Sequence, residues 1–395
     1  MWASIRMAAA MAAVLFVAAG CGKTSIPGPQ EPEGEPGALV ARHFQLVSEG
    51  PAVRSYIDEL RIKWDSGDDS RLYYNDGTGF RTAESSGTTI SEEGRRAAFD
   101  FELMVAPEAK GIELCSVCPA GAVMGENPAD AALLVPQNQR PASDSYDPEA
   151  AVILGQYASG VSLAQEHQIG YRLASALTKM TVKGIPQGER IVSVEVKAGT
   201  GICGAVSADL TKAGVGPVPD KSLLRIGYGD DVNTSDCWMS TWPVASGTGL
   251  DISVYTPGKV YSKSIALGAD IVTDKLNVMS VNMEGCGSDN ELVGRFLLAS
   301  IDSFFKFYVY GPDGALETDA PVLDEVKESL GKDLDTYVWE ISKAPFGYSL
   351  KNGSAEMNVY IETYLAGHKL SYVDNPDAFL NITATDGGVI LLIEV

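Results

Sequence analysis

The feature that most restricts this chain is a two-residue beat of apolar and polar side chains, in short runs punctuated by Gly, Pro, Asn and Asp. In Ile191-Val-Ser-Val-Glu-Val-Lys197, Val192, Val194 and Val196 share one face, and Ser193, Glu195 and Lys197 share the other. Leu250-Asp-Ile-Ser-Val-Tyr255 alternates similarly, so Ile252 and Val254 are expected to face inward. A period of two is the pleat of a strand with one buried face. Leu72-Tyr-Tyr74 runs into Asn75-Asp-Gly77, whose residues tolerate the positive φ that a tight hairpin needs. Arg61-Ile-Lys-Trp64 leads likewise into the turn-rich Asp65-Ser-Gly-Asp-Asp-Ser70. Short strands at this spacing predict a mainly β chain built of sandwiches. One helix is expected: Thr318 or Asp319 suits its cap and Pro321 its first turn. Val322, Leu323, Val326 and Leu330 would line one face before Gly331 ends it. Phe304-Phe-Lys-Phe-Tyr-Val-Tyr310 reads as an aromatic-rich strand.

The start of the chain obeys a different rule. Val17-Ala-Ala-Gly-Cys-Gly-Lys-Thr24 ends like a phosphate-binding loop, but Val17 stands where that loop needs glycine. The Pro- and Gly-rich stretch after Thr24 also bars the helix that should follow. A short start carrying only Arg6, an apolar run from Ala8 to Ala19, and small residues up to Cys21 fit a lipoprotein signal better. Residues 1–20 are then expected to be removed, and the Cys21 thiol to carry the lipid. Ala18 is a weaker choice than the usual Leu of that motif, and an ordinary secretory peptide is the alternative. Residues 21–40, rich in Pro, Gly and Glu, would form a flexible tether.

A net charge of −22 over 395 residues argues against nucleic acid, whose phosphates need a basic patch. Beyond Cys21 stand Cys115, Cys118, Cys203, Cys237 and Cys286, an odd number that leaves at least one unpaired in a monomer. Cys203 with Cys237 is one pairing that spares Cys286. Cys115-Ser-Val-Cys118 has the spacing of a metal or redox half-site, but its flanks read as strand. There, residues three apart point to opposite faces, so both are expected to be buried small hydrophobes. Trp64 reads as a core plug, with a ligand platform as the alternative. Asp65, Asp68 and Asp69 suit a turn, and no Glu closes a calcium loop at the required distance, so no metal is expected. His43, His167 and His368 have no imidazole partner at i+4, and no nucleophile elbow occurs. No catalytic residue and no cofactor are expected.

The order of several segments resembles the fimbrillin-like lipoproteins of Bacteroidetes, the family of type V pilus subunits. They are Trp64-Asp-Ser-Gly-Asp68 with its hairpin, Ala97-Ala-Phe-Asp-Phe-Glu-Leu103, and Glu113-Leu-Cys-Ser-Val-Cys-Pro-Ala-Gly121. Then come Val135-Pro-Gln-Asn-Gln139, Ser145-Tyr-Asp-Pro-Glu-Ala150, Ala176-Leu-Thr-Lys-Met-Thr-Val182, Trp242-Pro-Val244 and Gly249-Leu-Asp-Ile-Ser-Val-Tyr-Thr256, with Tyr261-Ser-Lys-Ser-Ile265. The match spans residues 55 to 284. The resemblance implies two tandem transthyretin-like β-sandwiches, at 41–160 and 161–284, with 285–395 a strand-rich region carrying the helix. It also implies a non-enzymatic structural or adhesive subunit, lipid-anchored at the outer membrane and cell surface. Its partners would be other pilus subunits and a host or bacterial surface ligand. The alternative is a monomeric surface lipoprotein binding a glycan or protein.

Family subunits assemble after an Arg- or Lys-directed protease frees the first strand and a neighbour's strand replaces it. Arg42, between Ala38-Leu-Val-Ala41 and Phe44-Gln-Leu-Val47, and Arg54 are the candidate cleavage sites. Gly388-Val-Ile-Leu-Leu-Ile-Glu-Val395 is apolar enough to need cover on both faces, in its own domain or in a neighbour's groove. Changing Cys21→Ala is expected to leave the protein unlipidated and block the cut before residue 21. Mass spectrometry of the mature N-terminus from cells checks it.

Overall fold

The computed structural model describes residues 38–49, 63–212, 214–216, 218–273, 275–301, 307–312, 314–318, 323–365, 367–373 and 390–395. The signal segment, Cys21, Arg54, Asp319, Pro321 and Val322 lie outside these residues.

The chain is mainly β, with little helix. Val40–Glu49 runs antiparallel to Arg96–Val105 through ten residue pairs, from Val40 opposite Val105 to Glu49 opposite Arg96. Gly87–Ser91 and His167–Gln168 complete that sheet. A second sheet runs Phe80–Glu84, Arg71–Asn75, Gly111–Cys118, Ile153–Gly155, Tyr171–Leu173, with Ala158–Ser162 also on Gly111–Cys118. The core they share holds Phe44, Leu46, Trp64, Leu72, Phe99, Phe101 and Leu114.

The hairpin at Asn75 shows why its residues were needed. The Asn75 side-chain oxygen accepts the N–H of Gly77 and of Gly79, and both glycines take positive φ, 97° and 132°. Asp76 reaches across to accept the Ala106 N–H at 2.7 Å, and takes further bonds from Thr78 and Arg81. Burial alone would raise its pKa, but those bonds outweigh it and hold the carboxyl well below the usual range.

A second core fills the space on the other side of Gly111–Cys118. It is enclosed by the sheet containing Gly249–Tyr255, Ser193–Ala198 and Leu223–Gly227, and by Asp236–Thr241, Ala176–Lys183 and Asn277–Asn282. Ala131–Val135 and Gly204–Asp209 also line it. Val194, Val196, Ile252 and Val254 all point into it, whereas Val192 is buried outside that cluster. Ladders cross residue 160 in both directions: His167–Gln168 pairs with the first strand, and Asn138–Gln139 pairs with Leu223–Gly227.

The C-terminal sheet runs from Gly314–Thr318 through Phe307–Gly311, Gly294–Ile301, Val338–Lys343, Tyr348–Asn352 and Ala355–Tyr364 to Gly367–Tyr372. Residues 302–306 of the expected aromatic strand lie outside the described residues, and Phe307–Gly311 forms its second half. The helix is Leu323–Leu330 and ends before Gly331 as expected, but the chain does not leave helical geometry for good. Gly331 takes φ +48° and leads into a tighter turn, after which Leu334–Tyr337 resumes as one helical turn. Leu330, Leu334 and Tyr337 all pack on the same apolar cluster, which holds that extra turn in place.

Cys115, Cys118, Cys203, Cys237 and Cys286 are all free thiols. Cys115 enters the second core and Cys118 the first, on opposite faces of one strand, so the two cannot share a metal ion. Burial pushes the thiols of Cys115, Cys118, Cys203 and Cys237 up from 9.0 to about 12. The folded chain therefore keeps these protons above pH 9 while the unfolded chain releases them. Their contribution is complete below pH 9 and is lost as pH climbs toward 12, on the order of several kcal/mol in total. Denaturant midpoints should fall over that range, and less steeply in a Cys115→Ala, Cys203→Ala variant. At pH 8 a thiol reagent should modify Cys286 and spare the four buried cysteines.

Candidate functional site: the first strand and its groove

Val40–Glu49 carries its largest apolar side chains on the side that faces the second sheet. Phe44 and Leu46 are 1% and 0% exposed and sit among Phe99, Phe101 and Leu103. Each such side chain buried is worth about 1.5–3 kcal/mol. On the outer side, the Asp100 carboxylate binds His43 Nε2 at 3.1 Å and accepts from Gln45 Nε2 at 3.0 Å. Among the described residues, the opposite edge of the strand is paired at Leu46 and Val47, with His167 and Gln168. Without this strand, the four-stranded sheet would lose an interior member, leaving a groove lined by Phe99, Phe101 and Leu103 and flanked by open backbone N–H and C=O groups.

Arg42 lies inside the ladder, opposite Leu103, with its guanidinium donating to the Pro107 carbonyl at 3.1 Å. Its main chain is not available to a protease while the sheet is closed. A cut there would also leave Phe44, Leu46 and Val47 in the sheet.

At the other end of the chain, Leu391–Glu394 pairs antiparallel with Gly294–Ile301, Leu392 opposite Leu298. Ile390 exchanges backbone bonds with His368, so the terminal strand bridges Gly294–Ile301 and Gly367–Tyr372. Ile390 and Leu392 enter one apolar cluster, Leu391 and Ile393 the other. Both faces are covered within its own domain.

Trp64 is a core residue, 4% exposed, with edge-on contacts to Phe99 at 5.3 Å and Tyr171 at 5.4 Å. Above it lies a cavity of about 180 Å³ lined in part by Asp65, Asp68, Asp69, Tyr146 and Glu149. Burial raises the Asp68 carboxyl, joined by repulsion from Asp65 and Asp69 and opposed by the Asp65 N–H it accepts. Burial raises Glu149 as well, followed by the charges of Asp69, Asp147 and Asp68. Asp65 and Asp68 close the turn on themselves, and Asp69 accepts the Ala120 N–H at 2.8 Å. Among the described residues no group of three or more His, Cys, Asp and Glu side chains converges to hold a metal ion. His43, His167 and His368 lie on separate strands.

The Gln of Val135-Pro-Gln-Asn-Gln139 has a role its sequence context did not reveal. Fully buried, Gln139 donates to the Ser240 carbonyl at 2.7 Å and accepts the Ser240 N–H at 2.9 Å, acting as one rung of a ladder beside Asp236–Thr241.

No family model matches the chain, and no curated protein matches it. Among solved structures, a candidate cell adhesion protein of Bacteroides uniformis is 14% identical, with 63% of this chain and 98% of that one covered and a TM-score of 0.38. A fimbrial assembly protein of Parabacteroides distasonis is 10% identical over 71% of this chain and 99% of its own, with a TM-score of 0.34. A fimbrial protein of Bacteroides ovatus is 9% identical over 71% and 54%, with a TM-score of 0.28.

Replacing Phe44→Ala should cost about 3–5 kcal/mol in denaturant unfolding, because the groove beneath it cannot close. Arg42→Ala, which removes an exposed side chain and one bond, should cost less than about 1 kcal/mol.

Proposed function

We propose that the chain is a fimbrillin-like surface subunit, exported, lipidated at Cys21, and built into a pilus by exchange of its first strand. The observation that carries this reading is the ten-pair ladder between Val40–Glu49 and Arg96–Val105. A terminal strand set inside a sheet over a deep aromatic core leaves, on departure, a groove that only another extended strand can fill. The incoming strand satisfies the open backbone groups, and its alternate side chains replace Phe44 and Leu46. Two tandem sandwiches at 41–160 and 161–284 followed by a third region remain our reading of the domain plan. The subunit is structural and adhesive, its partners are other subunits and a surface ligand, and it uses neither catalysis nor a cofactor.

Of the two arginines, Arg54 suits processing better. A cut there detaches all of Val40–Glu49, whereas a cut at Arg42 strands its apolar half in the sheet. In cells, Arg54→Ala should leave the full-length lipoprotein accumulating as monomer, while Arg42→Ala should process and polymerise normally. Immunoblots of undissociated surface material distinguish these outcomes. Polymer formation by the Arg54→Ala variant at the normal level would rule out gating at Arg54.

A further inference from the structure

Lys343 ends the strand Val338–Lys343 and is only 9% exposed. It lies where the C-terminal sheet meets the outer face of Gly249–Tyr255, Ser193–Ala198 and Leu223–Gly227. Its ammonium sits 4.6 Å from the centre of the Tyr255 ring and 5.1 Å from that of Tyr348. It donates to the carbonyls of Ala344 at 3.0 Å and Gly347 at 2.8 Å. Glu195, the acid beside it, already accepts from Arg225 Nε and from the Tyr255 hydroxyl, each at 3.3 Å. Among the described residues no carboxylate forms an ion pair with Lys343, so the buried ammonium is held by carbonyl dipoles, two rings and the charge of Glu195 at longer range.

The same joint contains other polar groups without partners. Asn138 donates to the Tyr360 hydroxyl at 2.7 Å, but its own carbonyl oxygen is buried and accepts nothing. Asn290, in the segment entering the C-terminal sheet, accepts from Tyr348 while its amide nitrogen is buried and donates to nothing. Ser193, opposite Gly227 and Tyr255, has a buried unpartnered hydroxyl. The apolar contact is close: a Cβ on Gly227 would meet Pro345 and Phe346 at 2.8 Å. Shape complementarity, the Asn138–Tyr360 bond, and the Arg225 and Arg140 guanidiniums over the Tyr360 and Phe346 rings at 4.2 and 5.0 Å hold the joint together, while its unpaired polar groups would all gain water if it parted.

We propose that the joint between the C-terminal sheet and the Leu223–Gly227 face is a releasable one, with the unpaired Lys343 ammonium keeping it poised to open. Replacing buried charge by apolar side chains of similar volume is often neutral or stabilising, so this only partly compensated lysine weakens closure of the joint. The consequence of opening is specific: Tyr255, Phe346 and the Ser193 face become accessible while both bodies stay folded. This goes beyond the subunit reading and does not depend on polymer formation.

The sign of the pH effect follows from the same burial. Desolvation, partly offset by Glu195 and added to by Arg225, lowers the Lys343 pKa from 10.5 to about 8. The open joint, with its lysine in water, binds the proton more tightly, so raising pH above about 8 favours closure. The neighbouring phenols stay neutral through that range, since burial pushes Tyr348 up to about 12 and Tyr255 also upward.

A Ser193→Cys probe in the full-length protein reads opening through the rate at which a neutral alkylating agent reaches it, divided into the rate for the unfolded chain at the same pH. With Lys343 present, protection should rise about fourfold between pH 7 and pH 8.5. Adding Lys343→Met should raise it roughly tenfold or more at pH 7 and abolish that pH dependence. Unchanged or lower protection in the Met variant would overturn the proposal. Should that variant fail to fold, the Lys343 protein decides alone: protection that is flat or falling from pH 7 to 8.5 overturns it.

Discussion

Everything in the first half of the molecule leans on one strand that is apolar on both faces. In Gly111–Cys118 the even positions, Ile112, Leu114 and Cys118, serve the first core, and the odd ones, Cys115 and Val117, serve the second. Its neighbours keep the same division: Leu72 and Tyr74 point one way and Tyr73 the other, as do Ile153 and Leu154. Two cores thus share a single wall, and a slip of one residue would exchange every side chain between them. The wall is packed without slack. A Cβ at Gly155 would collide with the side chains of Ser116 and Ile169.

The two terminal strands relate to their sheets differently. Val40–Glu49 buries Phe44 and Leu46 on one side, and on the other presents His43 and Gln45 to Asp100 and buries only Val47, so one face depends on hydrophobic cover more than the other. Leu391–Glu394 divides its side chains between two apolar clusters and joins its sheet through four residue pairs. The first strand therefore has the longer ladder, while the second, with Leu391 and Leu392 half-buried and Ile393 buried, has apolar contacts on both faces. Breaking the first exposes a groove in one sandwich, whereas breaking the second opens both clusters of the C-terminal sheet.

Alternation made much of this legible. Val194, Val196, Ile252 and Val254 face inward as their spacing requires, and Cys115 and Cys118 part to opposite sides for the same reason. Periodicity says that two faces differ, but not whether the polar one meets water. Ser193 was expected outside and is buried, because the C-terminal sheet covers that face through Phe346. No local signal in the sequence marks Lys343 as buried, since it packs on Tyr255, which lies 88 positions away. Gly331 carried a real stop signal, but Leu334 and Tyr337 had enough apolar surface to restore a helical turn behind it.

Asn138 and Gln139 show, side by side, two ways of treating a buried amide. Gln139 spends both ends of its side chain on the Ser240 backbone, and so ties two sheets of one core together with neither end of its amide unmet. Asn138 points the other way, reaches one hydroxyl of the C-terminal sheet, and leaves its oxygen unpaired. If burial alone governed these positions, both amides would be equally well bonded, since neither lies at an exposed edge. Within a core, a missing bond lowers the stability of the whole domain. At a joint, the same missing bond lowers only the cost of separating two bodies that each remain folded. An unmet polar group inside a core, such as the Trp64 indole N–H, therefore weakens that body itself, whereas those placed between bodies leave each body stable. Asn138, Asn290 and Lys343 occupy such positions, so yielding there would precede unfolding of the sheets on either side.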